Sequence, residues 1–134
     1  MKNNNDIVKG WILKAENDII ALKMIMESGK ALDTACFHAQ QAGEKYLKSF
    51  LIFNEIDSPK THDIERLLRL CSIADIDFLD LIDEASFLTD YAVELRYDLD
   101  FLPDKNKVEN ALKAVIKIKR LVLSLLPENL HPHE

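Results

Sequence analysis

The chain reads as an all-α protein, an up-and-down antiparallel bundle of four long helices plus one short helix. Three observations predict this. Apolar residues recur at three- and four-residue steps along most of the sequence, and no segment combines alternating hydrophobicity with strand-bounding turns. The joints between periodic segments are short, which makes neighbouring long helices antiparallel.

Val8, Trp11, Ile12, Ala15, Ile19, Leu22 and Met26 set the period of a first helix from about Asp6 to Ser28, with Gly29 as its stop. Asp33 is placed to cap a second helix that runs to about Phe53 through Ala39, Ala42, Tyr46, Leu47, Phe50 and Leu51. Asn54 to Lys60 reads as a loop. Thr61 is expected to cap the short third helix, which contains Ile64, Leu67, Leu68 and Cys71 and has Asp63 and Glu65 where the helix dipole favours negative charge.

After a break at Ile73 to Ile76, a fourth helix is predicted from about Asp77, its cap, to Tyr97, carrying Leu81, Ile82, Ala85, Leu88, Ala92 and Leu95. Leu99 to Pro103 forms the last connection. Asp104 caps a fifth helix through Val108, Ala111, Leu112, Val115, Ile118, Val122 and Leu125, and Pro127 ends it.

A length of 134 residues, 48% hydrophobic and 30% charged, fits one domain (1–134) able to bury its own core, with 1–5 and 128–134 expected to be flexible. Only 3 Gly and 4 Pro are present, without a linker-like run. The longest apolar stretches, such as Leu121 to Leu126, are too short for a bilayer, and the Asn-rich start lacks a signal-peptide core, so a cytoplasmic protein without membrane contact is expected. Cys36 and Cys71 have no C-x-x-C spacing and are expected to be buried, reduced packing residues.

A net charge of −6 argues against coating duplex DNA, which depends on counterion release by a basic surface. The charge is also split. Asp75 to Asp104 holds ten acidic residues against the single base Arg96, whereas Lys105 to Arg120 carries Lys105, Lys107, Lys113, Lys117, Lys119 and Arg120. Such opposed faces suit pairing with a second copy or a complementary partner, or are simply solvated helix surfaces.

The densest information lies from Asp33 to Leu51. Ala35, Ala39, Ala42 and Gly43 let another helix approach, while His38, Gln41, Lys45 and Lys48 follow at steps of three, four and three, forming one polar edge. That edge is either a ligand face, with lysines for a phosphate and His38 as donor or switchable proton, or an ordinary wet surface.

Lys60, Thr61 and His62 sit at an expected helix start, where free N–H groups attract anions, though a plain Thr61 cap explains the same residues. Asp90 and Glu94, four residues apart, are weak candidates for Mg²⁺ or else salt-bridge partners of Lys45, Lys48 or Arg96; Tyr91 and Tyr97 either stack a base or pack in the bundle. His131 and His133 make a weak metal signal in a tail expected to fray, so no metal site is assigned.

Three phrases in order, FHAQQAGEKYLKSFL at Phe37 to Leu51, SPKTHDIERLL at Ser58 to Leu68 and LTDYAVELRYD at Leu88 to Asp98, resemble the prokaryotic HEPN domains, as does the leading WILKAENDI at Trp11 to Ile19. The resemblance implies a four- to five-helix bundle that usually dimerises, is often encoded beside a minimal nucleotidyltransferase, and in some members binds nucleotides or cleaves RNA. RNA-cleaving members carry an arginine followed, after four to six residues, by a histidine. Here the permitted positions after Arg66 hold Cys71, Ser72 and Ile73, and after Arg96 they hold Phe101, Leu102 and Pro103; Arg69 and Arg120 likewise lack a following histidine.

The sequence therefore predicts a HEPN-type nucleotide-binding or partner-binding module, homodimeric and acting with a nucleotidyltransferase-like protein, with no catalytic residue assigned. The ligand face would comprise His38, Gln41, Lys45, Lys48, Lys60, His62, Arg96 and Tyr97; no cofactor is required, and ATP or another nucleotide, with or without Mg²⁺, is the expected ligand. The alternatives are a divergent, toxin-like ribonuclease using Arg96 with His38 or His62, and a purely structural dimerisation protein.

Overall fold

A computed structural model describes residues 3–92 and 98–133 of the chain. Its described residues form helices and no strands, as the all-α reading expects. The α1 helix, Asn4–Ser28, starts on Asn3, whose Oδ1 accepts from the Asp6 N–H at 2.9 Å. It ends at Gly29, where φ of 71° needs a residue without a Cβ penalty and lets the Gly29 N–H close onto the Ile25 and Met26 carbonyls. Val8, Ile12, Ala15, Ile19 and Leu22 share its inner face.

The α2 helix, Leu32–Phe53, is the centre of the molecule, packing against α1 on one side and against α3 (Ile64–Cys71) and α5 (Lys105–Ser124) on others. Its N-cap is Ala31 in the left-handed region at φ 55° with no side-chain cap, so Asp33 lies in the first turn rather than at the cap. The small face does what its composition predicts. A Cβ on Gly43 would lie 3.3 Å from Ile118 Cδ1 of α5, 3.5 Å from Leu88 Cδ1 and 3.6 Å from Ile64 Cδ1 of α3, so three neighbouring segments close on this one position.

Two caps differ from expectation. Asp63, not Thr61, caps α3, its Oδ1 accepting from the Arg66 N–H at 3.3 Å, while Thr61 Oγ1 accepts from the Asp63 N–H one turn earlier. Asp75, not Asp77, opens the next segment, accepting from the Asp77 N–H. A carboxylate two or three residues before a free amide outcompetes the hydroxyl in the first case, and starts the turn early in the second.

The expected fourth helix is interrupted in its described part. Ile76–Leu81 and Ser86–Tyr91 are 3-10 helices joined by the four-residue α4, Ile82–Ala85. Apolar spacings of three, Phe78 to Leu81 and Leu88 to Tyr91, align on a threefold helix, and Thr89 spends its hydroxyl accepting the Ile64 N–H of α3 at 2.9 Å. Phe78, fully buried against Phe50 at 4.7 Å between ring centroids, pins the segment to α2. Leu95 lies outside the described residues.

Asp104 caps α5 as predicted, accepting from the Lys107 N–H at 3.0 Å. Beyond Pro127 the chain does not trail away: a 3-10 turn, Glu128–Leu130, folds back towards α1, Leu130 is 1% exposed, and His131 Nε2 lies 3.0 Å from the Leu126 carbonyl. No described helix is long and apolar enough to cross a membrane. Both cysteines are buried and reduced; burial, with Asp33 adding to it and Lys107 opposing, pushes the Cys36 thiol up to about 11.

Candidate functional site

The polar edge of α2 is a network of ion pairs, not a row of free cations. His38 Nδ1 lies 2.8 Å from Asp18 Oδ1 of α1, and Lys45 Nζ lies 2.6 Å from Asp18 Oδ2. Asp18 is an interior position on α1, its side chain 11% exposed, and one carboxylate there bridges the His38 imidazole and the Lys45 ammonium, two turns apart on α2.

A second carboxylate organises the other half. Glu44, 6% exposed, receives Lys48 Nζ at 2.8 Å, His62 Nδ1 at 2.7 Å and Gln40 Nε2 at 3.1 Å. Gln40 Nε2 also donates to the His62 carbonyl at 3.0 Å, and its Oε1 accepts from Gln41 Nε2 at 2.7 Å. Burial is the largest single influence on Glu44 and raises its pKa, but the hydrogen bonds from Lys48, His62 and Gln40 together outweigh it and hold the carboxyl below its ordinary value.

A third buried contact lies one turn on. The fully buried Tyr46 donates its hydroxyl to Glu16 Oε2 of α1, and Lys119 Nζ of α5 lies 3.0 Å from the same oxygen, so one carboxylate ties α1, α2 and α5 together.

The structure thus unites His38, Gln41, Lys45, Lys48 and His62 on one face of α2 and adds Asp18, Gln40, Glu44 and Glu16, none of which the sequence reading singled out. Lys45 and Lys48 pair with Asp18 and Glu44, not with Asp90, which is exposed. At the helix start that follows Lys60 to His62, α3 begins at Ile64, and the Ile64 and Arg66 amides are taken by Thr89 and Asp63. Arg96, Tyr97 and Glu94 lie outside the described residues. Among the described residues no three His, Cys, Asp or Glu side chains cluster to hold a metal.

Trp11, assigned to the core by its period, instead stands half-buried at the mouth of this face, with Lys48 Nζ 5.8 Å from its ring centroid. It separates two hollows. One, about 500 Å³, is lined by Trp11, Lys14, Lys45 and Asp6; the other, about 670 Å³, by Trp11, Lys48, Lys60, Glu55 and Asp57. Lys45 and Lys48 are neutralised by their buried carboxylates, whereas Lys14 and Lys60 have no ion-pair partner among the described residues.

The family described as HEPN domain matches residues 8–125, which is most of the chain. The fold is similar to that in the crystal structure of ST0689, an archaeal HEPN homologue, with 26% sequence identity, a TM-score of 0.72, and coverage of 92% of this chain and 98% of that one. No curated protein gives a significant match.

Proposed function

We propose, for a chain that belongs to the HEPN domain family, that it is a nucleotide-binding module that forms a homodimer and acts with a nucleotidyltransferase-like partner. The observation that carries the ligand part is Trp11 standing between two hollows whose unpaired cations are Lys14 and Lys60. A nucleotide base stacks on the indole, an arrangement worth roughly 1–3 kcal/mol per base in single-strand binders. The phosphates meet Lys14 or Lys60, while Lys45 and Lys48 donate hydrogen bonds without adding net charge. ATP or another nucleotide is the ligand class, with Mg²⁺ arriving on the phosphates.

Trp11 is the only tryptophan in the sequence, which makes it the probe as well as the platform. Titration with ATP, with and without Mg²⁺, is expected to quench its fluorescence saturably and raise Tm. Lys60→Ala or Lys14→Ala should weaken the response at least several-fold. No saturable change in either signal would overturn the nucleotide reading and leave a module that binds protein alone.

One observation favours a second reading. His38 meets Asp18 and His62 meets Glu44, each through Nδ1, an orientation that holds the ring and directs its Nε2 away from the carboxylate, as a general acid or base needs. RNA cleavage lost in both His38→Ala and Arg96→Ala would establish the ribonuclease alternative; intact RNA after prolonged incubation would remove it.

A further inference from the structure

The outer face of α1 is unlike the solvent side of an ordinary surface helix. Leu13, Ile20 and Met24, spaced seven and four residues apart, are 61%, 56% and 67% exposed, so three large apolar side chains stand in one line while the opposite face of the helix is already buried on α2. Lys9 and Glu27 lie on the same line at its two ends.

That line, Lys9, Leu13, Asn17, Ile20, Met24 and Glu27, is self-complementary when reversed. Two copies of α1 laid antiparallel about a two-fold axis level with Asp18 and Ile19 set Leu13 against Met24 and Asn17 against Ile20, twice over. The same operation brings Lys9 of each copy to the turn that holds Glu27 of the other. A parallel pairing would oppose like charges at both ends. The match of apolar to apolar and of base to acid arises from a single rotation, which is the requirement for a closed isologous interface.

The tail supplies a second wall. A groove of about 690 Å³ runs between α1 and the folded-back C-terminal segment, with Leu13, Ile20, Leu130 and Pro132 on its sides. In the antiparallel register Met24 of the second copy stands opposite Leu13 at the mouth of this groove, and a methionine suits an irregular apolar gap.

Resting on the homodimer reading given above, we propose that the outer face of α1, with the tail beside it, is the seam between two copies of this chain. The occupant is a second α1 in antiparallel register, held by the Leu13, Ile20 and Met24 stripe and oriented by reciprocal Lys9–Glu27 pairs. The Trp11 hollows are left facing solvent on both copies.

Sedimentation at tens of micromolar tests both the seam and the dimer reading beneath it. The wild-type protein should run at twice the chain mass, and Ile20→Glu at the chain mass with Tm unchanged at matched low concentration, since the residue is exposed. Lys9→Glu and Glu27→Lys should each weaken dimerisation, because each sets like charges together, and the double exchange should restore it. A merely hydrophobic surface would not show that rescue. A Leu13→Cys/Met24→Cys variant should form the crosslinked dimer under mild oxidation, with Cys36 and Cys71 buried and silent.

A dimer that survives Ile20→Glu would overturn the seam while leaving the homodimer reading standing. A monomer at every concentration would overturn both. A face whose mutation blocks only assembly with a nucleotidyltransferase-like protein would assign it to that partner and overturn the self-pairing.

Discussion

The two sides of α2 handle charge in opposite ways. On one side, three largely covered carboxylates each meet at least two donors: Glu16 and Asp18 of α1 meet Tyr46 with Lys119 and His38 with Lys45, and Glu44 of α2 meets Lys48, His62 and Gln40 beside the chain that leads into α3. On the far side, where α5 meets the interrupted Ile76–Tyr91 segment, the cross-segment ion pair is Glu84–Lys117 at 2.9 Å, with both side chains 50% exposed. The first arrangement covers most of each carboxylate and makes it depend on its donors; the second leaves both ions solvated whether or not they pair. Charge in the covered network is therefore expected to govern stability, whereas the exposed Glu84–Lys117 pair is expected to contribute little.

The largest break in that contrast is expected from Glu44→Ala. It leaves Lys48 at 14% exposure without its anion and frees the Gln40 amide, so the loss should be about 3 kcal/mol in urea unfolding, the scale for removing one member of a buried pair. Exchanging the pair for apolar residues, Glu44→Leu with Lys48→Met, should recover much of it, because no uncompensated charge stays behind. A loss below half a kcal/mol for Glu44→Ala would place this side with the α5 side and end the contrast.

Tyr46→Phe removes one hydroxyl from a fully buried ring and leaves Glu16 with Lys119 alone. Hydrogen bonds to charged groups are worth about 1.5–3 kcal/mol, so a loss near 2 kcal/mol is expected, measured by the same unfolding assay. Acid gives a graded version of the test. Glu44 titrates below its ordinary value when folded, so its contribution is complete above the unfolded carboxylate pKa of about 4.3 and is lost as the pH falls through the lower folded value. The stability difference between the wild-type protein and Glu44→Gln should accordingly be constant near neutrality and narrow on acidification; a difference that widens in acid would contradict the sign.

How much of this was legible in the sequence differs by side in the same way. Gly29 and Asp104 announced their helix ends because caps are local chemistry, and the alanines with Gly43 announced a close approach because residue size is visible in any chain. His38, Lys45 and Lys48 were found as a stripe, yet their partners were not. Asp18 lies 20 and 27 residues from the side chains it binds, and only the packed α1–α2 pair reveals which they are. The 3-10 segments were missed for a different reason. Leu81, Ala85, Leu88 and Ala92 fit the α period, while Phe78 with Leu81 and Leu88 with Tyr91 fit the threefold one; the choice was made by Thr89 bonding α3 and by Phe78 seating on Phe50.

The smallest effect is the sharpest check of the comparison. Glu84 and Lys117 form as short a contact as Lys48 and Glu44, 2.9 Å against 2.8 Å, so distance alone predicts similar worth. Burial predicts otherwise. With half of each side chain in water, the ions lose little solvation on pairing and gain little when they meet, and holding two long side chains in place costs entropy, so Glu84→Ala should change stability by less than about 0.5 kcal/mol. Raising the salt concentration should shrink even that, since exposed charges are screened over a Debye length of about 8 Å at physiological ionic strength, while leaving the Glu44→Ala loss nearly intact. Equal losses for Glu84→Ala and Glu44→Ala, or equal sensitivity to salt, would mean that geometry rather than desolvation sets the worth of these pairs.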